Sequence, residues 1–291
     1  MARKEELEAR IGELEAAMGM PDFWTDKDKA QVLLKEYQNL KQELAGADGY
    51  DKGDALLSIV SGAGGDDAED FSRMLLEMYQ KYAASRGWRI TPIDMNRNSM
   101  GGYRSVSLEV SGSGAYGSLK KEAGVHRLVR MSPFNAQGKR QTSFSLVEVM
   151  PKVAESALVI PETDLEIIFQ NAGGPGGQNV NKRETVVRIT HRPTGVSVHV
   201  TSERAQAQNK AKGLELIRGK LFALKQEEEE RKARGFSTGA TTKIEWGSQI
   251  RSYVLHPYQL VKDHRTDHER RDIEAVLEGD IQSFIDAESA L

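Results

Sequence analysis

Apolar residues near the amino terminus recur every three to four positions. Leu7, Ile11, Leu14 and Met18 fall on one stripe, and Leu33, Tyr37, Leu40 and Leu44 on another, with PDFWTD between them. That period belongs to helices with one buried face, so a helical hairpin is predicted over residues 1–49, ending in the Gly/Asp-rich seam AGADGYDKGD. The pattern then changes. A strand is predicted from Ala55 to Ser61, a helix from Asp66 to Arg86, and strands from Trp88 to Asn96 and from Gly102 to Ser111. A short helix from Ser113 to Ala123, a loop, and a strand from Thr142 to Met150 follow. This β-α-β-β-α-β order predicts a compact α+β domain, residues 50–158, with its helices on one sheet face.

A third region, residues 159–234, starts with the alternating strand Leu165, Ile167, Phe169 and passes through NAGGPGGQNVNKRET. A hairpin follows, Val187 and Ile189 on one arm and Val196, Val198 and Val200 on the other, turning at HRPTG. One long helix is predicted from Ser202 to about Arg234, with Leu214, Ile217, Leu221 and Leu224 as its apolar stripe. At 1.5 Å per residue it makes a rod of about 45 Å, a spacer as much as a core element. Residues 235–291 open on the small, polar joint GFSTGATTKIEWG. They continue through an aromatic and basic stretch to a last helix, Ile273 to Ala287, and are predicted to pack on the second domain. The whole reads as a multidomain α+β protein with a small α/β third domain.

Composition narrows the chemistry. No run approaches the roughly 18 apolar residues of a membrane span, and MARKEELEAR lacks a signal peptide's apolar stretch, so a cytoplasmic, membrane-free protein is expected. The absence of cysteine excludes disulfides, thiolate metal sites and a Cys nucleophile. The formal charge of -3 hides a division: the first 54 residues are acidic, whereas Lys182 to Lys220 is strongly basic and suited to phosphate.

Three loops carry candidate chemistry. SGAGGDDAED, Ser61 to Asp70, lies where a nucleotide-binding loop would. Asp66, Asp67, Glu69 and Asp70 already occupy the positive end of the helix, however, and GxGxxG and a Walker lysine are both missing. It reads either as a stabilised helix start or as a glycine tip able to contact a base edge. His126 to Phe144 carries Arg127, Arg130, Lys139 and Arg140 without an acid, and Ser132, Phe134 and Thr142 add the hydroxyls and stacking ring used on single-stranded RNA; a plain basic loop is the other reading. GGPGGQNVN, Gly173 to Asn181, sets glycines before a neutral amide and basic residues, which suits close approach to crowded RNA. No conventional hydrolase site assembles. His264 and His268 lack an obvious third ligand and read as solvated surface residues, so no metal or cofactor is expected, and any catalysis must draw part of its site from the reacting partner.

Gly176-Gly177-Gln178 within GPGGQNVNKxET resembles the GGQ motif of class I peptide chain release factors, and Ser132-Pro133-Phe134 within GVHRLVRMSPF resembles the codon-reading motif of the release factor 2 branch. Val129 and WGSQIRSYVLHPYQLVKDHRT agree, and the resemblance runs from about Tyr50 to the end. It implies translation termination at UAA and UGA. Ser132, Pro133, Phe134, Val129, Gln141, Thr142, Gly64 and Asp67 would face the stop codon in the decoding centre. Gly176, Gly177 and Gln178 would promote peptidyl-tRNA hydrolysis in the peptidyl transferase centre, with no autonomous catalytic site. It further implies a switch segment at about Arg231 to Trp246, modification of Gln178 to N5-methylglutamine by a glutamine methyltransferase, and action as a monomer on the ribosome.

The chain departs from the family in three places: Gln141 replaces the usual histidine, Asp67 the usual glutamate, and only about 45 residues precede the seam. The short amino-terminal segment withholds the stalk-base and GTPase release factor contacts from the implication. The first two departures keep open a ribosome-rescue hydrolase with relaxed codon dependence, and a non-catalytic ribosome-binding regulator is the remaining alternative.

Overall fold

The computed structural model describes residues 50–153, 158–171, 185–203, 205–233 and 248–289, with 9–12, 14, 18 and 33 nearer the amino terminus. It divides into two units, Met1–Lys52 and Gly53–Leu291. In the first, the described residues are helical and Ile11 and Leu14 are buried; most of the predicted hairpin lies outside the described residues.

The second unit is built on a sheet. Its first part runs β1 (Ala55–Ser61), α1 (Asp66–Ser85), β2 (Arg89–Arg97), β3 (Tyr103–Ser111), α2 (Ala115–Leu119), β4 (Gly124–Met131) and β5 (Arg140–Pro151). Three strands from beyond residue 248 join the same sheet: β9 (Gln249–Val254), β10 (Leu260–Asp263) and β11 (Glu269–Arg270). The strand order is β11-β10-β9-β4-β5-β1-β3-β2, and β4 with β9 is its parallel pair. β1 is apolar on consecutive residues because both its faces are covered: Leu57 and Ile59 pack under α1 through Phe71, Leu75 and Met78, while Leu56 faces the opposite side. β2 is an edge strand, and Pro92 is tolerated there beside a bulge between Pro92 and Asp94.

The opposite face near β1 and β5 holds the second core. There β6 (Leu165–Gln170), β7 (Val186–His191) and β8 (Ser197–Val200) form a three-stranded sheet backed by α3 (Gln206–Ala233). Leu216, Ile217 and Leu221 of α3 pack with Val187, Ile189 and Val200, and with Leu56, Ile93 and Met150 of the large sheet. Gly219 lets the helix come this close, since a Cβ there would sit 2.9 Å from Leu56 Cδ1 and 3.2 Å from the Pro151 carbonyl. Ion pairs surround the contact: Lys152 with Glu109 (2.6 Å) and Glu215 (2.9 Å), and Lys220 with Glu148 (2.8 Å). Asp94 accepts from Thr201 (2.8 Å) and meets His199 (3.2 Å).

The α+β class and the element order follow the sequence pattern, with four corrections. The predicted loop from His126 is strand at both ends: His126 to Met131 belong to β4, whose alternate residues His126, Leu128 and Arg130 point under α1, and β5 starts already at Arg140. Leu224 is 39% exposed, having run past the end of the core that Leu221 closes. The last helix is two, α4 (Ile273–Leu277) and α5 (Gln282–Ser289), broken at Gly279 with φ +97°. His268 is only partly exposed, its ring edge-on to Phe284 at 4.8 Å.

Under the sheet lies a charged core. Arg251 of β9, fully buried, donates to both oxygens of Glu122 (2.7 and 2.7 Å), to Asp263 (3.2 Å) and to Glu288 (2.7 Å), and its guanidinium lies 4.4 Å from the Phe284 ring centroid. Arg265 also reaches Asp263 and Glu288. Burial, the Glu122 charge and a hydrogen bond shared with Asp263 push the Glu288 carboxyl up to about 8. Asp263, despite burial, is held well below the usual range by Arg265 and that shared bond. Burial and the Arg251 charge push His126 down to about 4.

A carboxyl raised on folding binds its proton more tightly in the native state, so Glu288 stabilises the fold below its unfolded value and loses that contribution as pH rises through about 8. His126 opposes this trend only below its ordinary value of 6.5, leaving the interval from 6.5 to 8 to Glu288. Unfolding free energy from denaturant titration should therefore fall over that interval, with a slope of at most about 1.4 kcal/mol per pH unit, and Glu288→Gln should flatten it.

Candidate functional site

The elements converge at one end of the large sheet. The β1–α1 connection ends in Gly64 (φ +134°) and Gly65 (φ +58°), conformations open to glycine, and a Cβ on Gly64 would lie 2.8 Å from Ser143 Oγ. β4 and β5 are joined by a short turn in which Ser132 N donates to Lys139 O (3.1 Å) and Gly138 N to Asn135 O (2.8 Å). The turn carries Ser132, Pro133 and Phe134 to the tip of α1, while Gly62 N donates to Phe144 O and Phe144 N to Ala63 O, stitching tip to strand.

The side chains there form one network. Ser132 Oγ donates to Asp67 Oδ2 (2.5 Å) and accepts from Phe134 N (3.2 Å). Arg130 donates to Asp67 Oδ1 through Nε (3.2 Å) and Nη2 (3.0 Å), contacts Asp70 at 2.7 Å, and places its guanidinium 5.9 Å from the Phe134 ring centroid. Arg73 completes the chain on Asp70 at 2.8 Å. Asp67 and Ser132 are buried, and Pro133 is exposed.

The structure thus brings Gly64, Asp67, Ser132, Pro133 and Phe134 together. Val129 lies opposite Thr142 across β4 and β5, and Gln141 opposite Arg130. By strand alternation Val129 and Thr142 face away from α1 whereas Arg130 and Gln141 face toward it, so these residues occupy both faces of the same sheet end. Arg130 and Asp70 went unremarked as network members in the sequence; the signal was the inward phase of β4, which places Arg130 beside a helix start rich in acid. Gly176, Gly177, Gln178 and Trp246 lie outside the described residues.

The base of the glycine-rich segment is described. Gln170 and Val186 are the last paired positions of β6 and β7, so residues 171–185 connect adjacent strands. Asn209, fully buried in α3, donates to Thr185 O (2.6 Å) and Glu203 O (3.0 Å) and accepts from Glu203 N (2.9 Å). It pins the strand leaving that segment to the start of the long helix, a role that a lone Asn in a polar run did not disclose.

Fold and site define a protein that presents a hydroxyl-bearing turn and a glycine tip at one end of a mixed sheet, with a glycine-rich segment on a separate small sheet. The sequence matches the PCRF domain over residues 37–147 and the RF-1 domain over residues 154–265. It is 46% identical over 258 residues to peptide chain release factor 2 of Clostridium perfringens, covering 88% of this chain and 71% of that protein. It is 39% identical to peptide chain release factor 2 of Exiguobacterium sp., covering 97% and 91%. The chloroplastic peptide chain release factor of Arabidopsis thaliana is 49% identical over 89% of this chain, a match spanning 58% of that longer protein. Among solved structures, release factor 2 of Thermus thermophilus is similar at a TM-score of 0.75 with 33% identity, covering 98% of this chain and 96% of that one. The chain belongs to the peptide chain release factor family, in its release factor 2 branch of translation termination factors.

Removing the Asn209 amide leaves the Thr185 and Glu203 backbone groups without its hydrogen bonds inside the protein. Asn209→Ala should lower stability by about 1–3 kcal/mol in denaturant titrations, with faster proteolytic cleavage between residues 171 and 185.

Proposed function

We propose that this chain terminates translation at UAA and UGA, its sheet end reading the codon in the ribosomal decoding centre and its glycine-rich segment promoting hydrolysis of peptidyl-tRNA. The observation that carries the reading is the junction of the Ser132-Pro133-Phe134 turn with the glycine tip of α1 through Asp67 and Arg130. A serine hydroxyl and exposed peptide groups can match the edges of unpaired bases, and Phe134 supplies an aromatic ring beside them. Thr142 would contribute at the third base, and Gln141 would lie beside the second.

At the other site the backbone N–H of Gln178 would donate to the oxyanion formed as water attacks the ester linking peptide to tRNA. Such a preorganised donor needs no titrating side chain, which fits a sequence without a hydrolase constellation. Gly176 and Gly177 would permit the backbone to approach, and the Gln178 side chain, as N5-methylglutamine after action by a glutamine methyltransferase, would exclude nucleophiles larger than water. The protein would act as a monomer, one copy per ribosome. Residues from about 231 to 246, including Trp246, would couple codon reading to movement of the small sheet and α3, a movement that must break the Lys152–Glu215, Lys220–Glu148 and Asp94–Thr201 contacts.

Peptide release from ribosomes programmed with UAA, UGA, UAG or a sense codon should occur on UAA and UGA only. Gln178→Pro, which removes the N–H donor, should retain ribosome binding and lose release. Codon-independent release by the native chain would instead make it a rescue hydrolase, and undiminished release by Gln178→Pro would end the proposed role of that donor.

A further inference from the structure

UAA and UGA differ only in the second base. Adenine offers an amino donor where guanine offers a carbonyl acceptor, so one side chain serving both must be able to accept and to donate. Within the Ser132-Pro133-Phe134 turn only the Ser132 hydroxyl can do both, having one proton and two lone pairs. In this structure its proton is given to Asp67 Oδ2 (2.5 Å), and one lone pair is taken by Phe134 N (3.2 Å). What remains is a lone pair, an acceptor. Asp67 is equally committed: Oδ1 receives Nε and Nη2 of Arg130, and the side chain is 8% exposed, facing inward and not toward an incoming base. Arg130 is held in turn by Asp70 at 2.7 Å, so the carboxylate cannot turn outward without leaving the guanidinium half-compensated.

We infer that Asp67 is a positioning residue: it fixes the direction of the Ser132 hydroxyl proton and thereby favours adenine over guanine at the second codon position, and it does not itself read the first base. As held, the hydroxyl accepts from the adenine amino group at once. To meet guanine, its proton must leave the carboxylate, and a charge-assisted hydrogen bond is exchanged for a neutral one. This leaves first-base contact to the backbone at Gly64 and Gly65, whose positive φ values turn that segment sharply ahead of α1. The inference rests on the proposed reading of stop codons by this turn.

The test measures release as a function of factor concentration on UAA, UGA and the first-position near-cognate CAA. The native chain should reach half-saturation at lower concentration on UAA than on UGA. Asp67→Asn keeps the side-chain shape but can donate to Ser132 and free its proton. Asp67→Glu keeps the charge for Arg130 but carries the carboxylate one methylene past the hydroxyl. Each should narrow the UAA to UGA ratio by about threefold to tenfold, the range of one hydrogen bond's net worth, without raising release on CAA. In a Ser132→Ala background, Asp67→Asn should leave the ratio where Ser132→Ala alone puts it. A merely structural role would weaken both stop codons by one factor and leave their ratio unmoved in both Asp67 variants, which overturns the inference. Increased release on CAA would return Asp67 to first-base reading and also overturn it. A native chain inactive on both UAA and UGA would overturn the parent reading together with this one, whereas native activity with an unmoved ratio defeats this one alone.

Discussion

A buried guanidinium decides how the sheet is assembled. Arg251 sits with no exposed surface, and an ion removed from water at that depth is tolerable only when every partner is in place. Its partners come from different parts of the chain: Glu122 just after α2, Asp263 on β10 and Glu288 on α5. Only when β9 lies parallel to β4 are those carboxylates within reach together. A slip of one residue would turn Arg251 to the other face and leave the buried Glu122 without its cation. The cost of burial therefore works as a registration device, selecting one placement of the carboxy-terminal strands, and with it the position of β4 and the turn that β4 delivers.

From that placement the two ends of the domain acquire different characters. On the α1 side the sheet closes a large apolar core, and its chemical groups emerge only at the end where β1 and β4 finish. On the other side, Leu56 and Met150 belong to the core of the small sheet and α3. This second contact is apolar at its centre, around Gly219, and ionic at its border. A border of exposed and half-exposed ion pairs adds little net stability while favouring one docking geometry. An interface of that kind would come apart at lower cost than the Arg251 core.

Much of this architecture was legible as pattern. Period-two and period-four spacing located β1, α1, β3, β6 to β8 and α3, and the family motifs marked the turn at Ser132. What the pattern could not reveal has a common physical cause. Strand β4 carries Arg127 and Arg130, residues that spacing rules count as exposed, so its pattern predicts a loop, and the burial of Arg251 is hidden in the same way. Charge reads as surface unless its counter-charge is known, and the partners of these arginines lie on distant segments. Asn209 was invisible for a related reason: its worth lies in backbone groups that no sequence pattern displays.

The same cancellation bears on how RNA would be read. The turn looked like a basic loop of the kind that grips phosphate, yet Arg130 is bound by Asp67 and Asp70 and carries no free charge toward solvent, while Lys139 and Arg140 stay exposed at its rim. Phosphate contacts raise affinity for any sequence alike and add salt dependence, whereas discrimination needs groups whose hydrogen-bonding sense is fixed. If the turn reads bases as proposed, pairing of Arg130 beside Ser132 would remove an indiscriminate attraction from the place where discrimination is needed and leave it at the margin. The carboxylates at the start of α1 oppose phosphate at that helix end and would serve the same division, so that under the proposed reading the acid content of the tip would belong to its selectivity as much as to its stability.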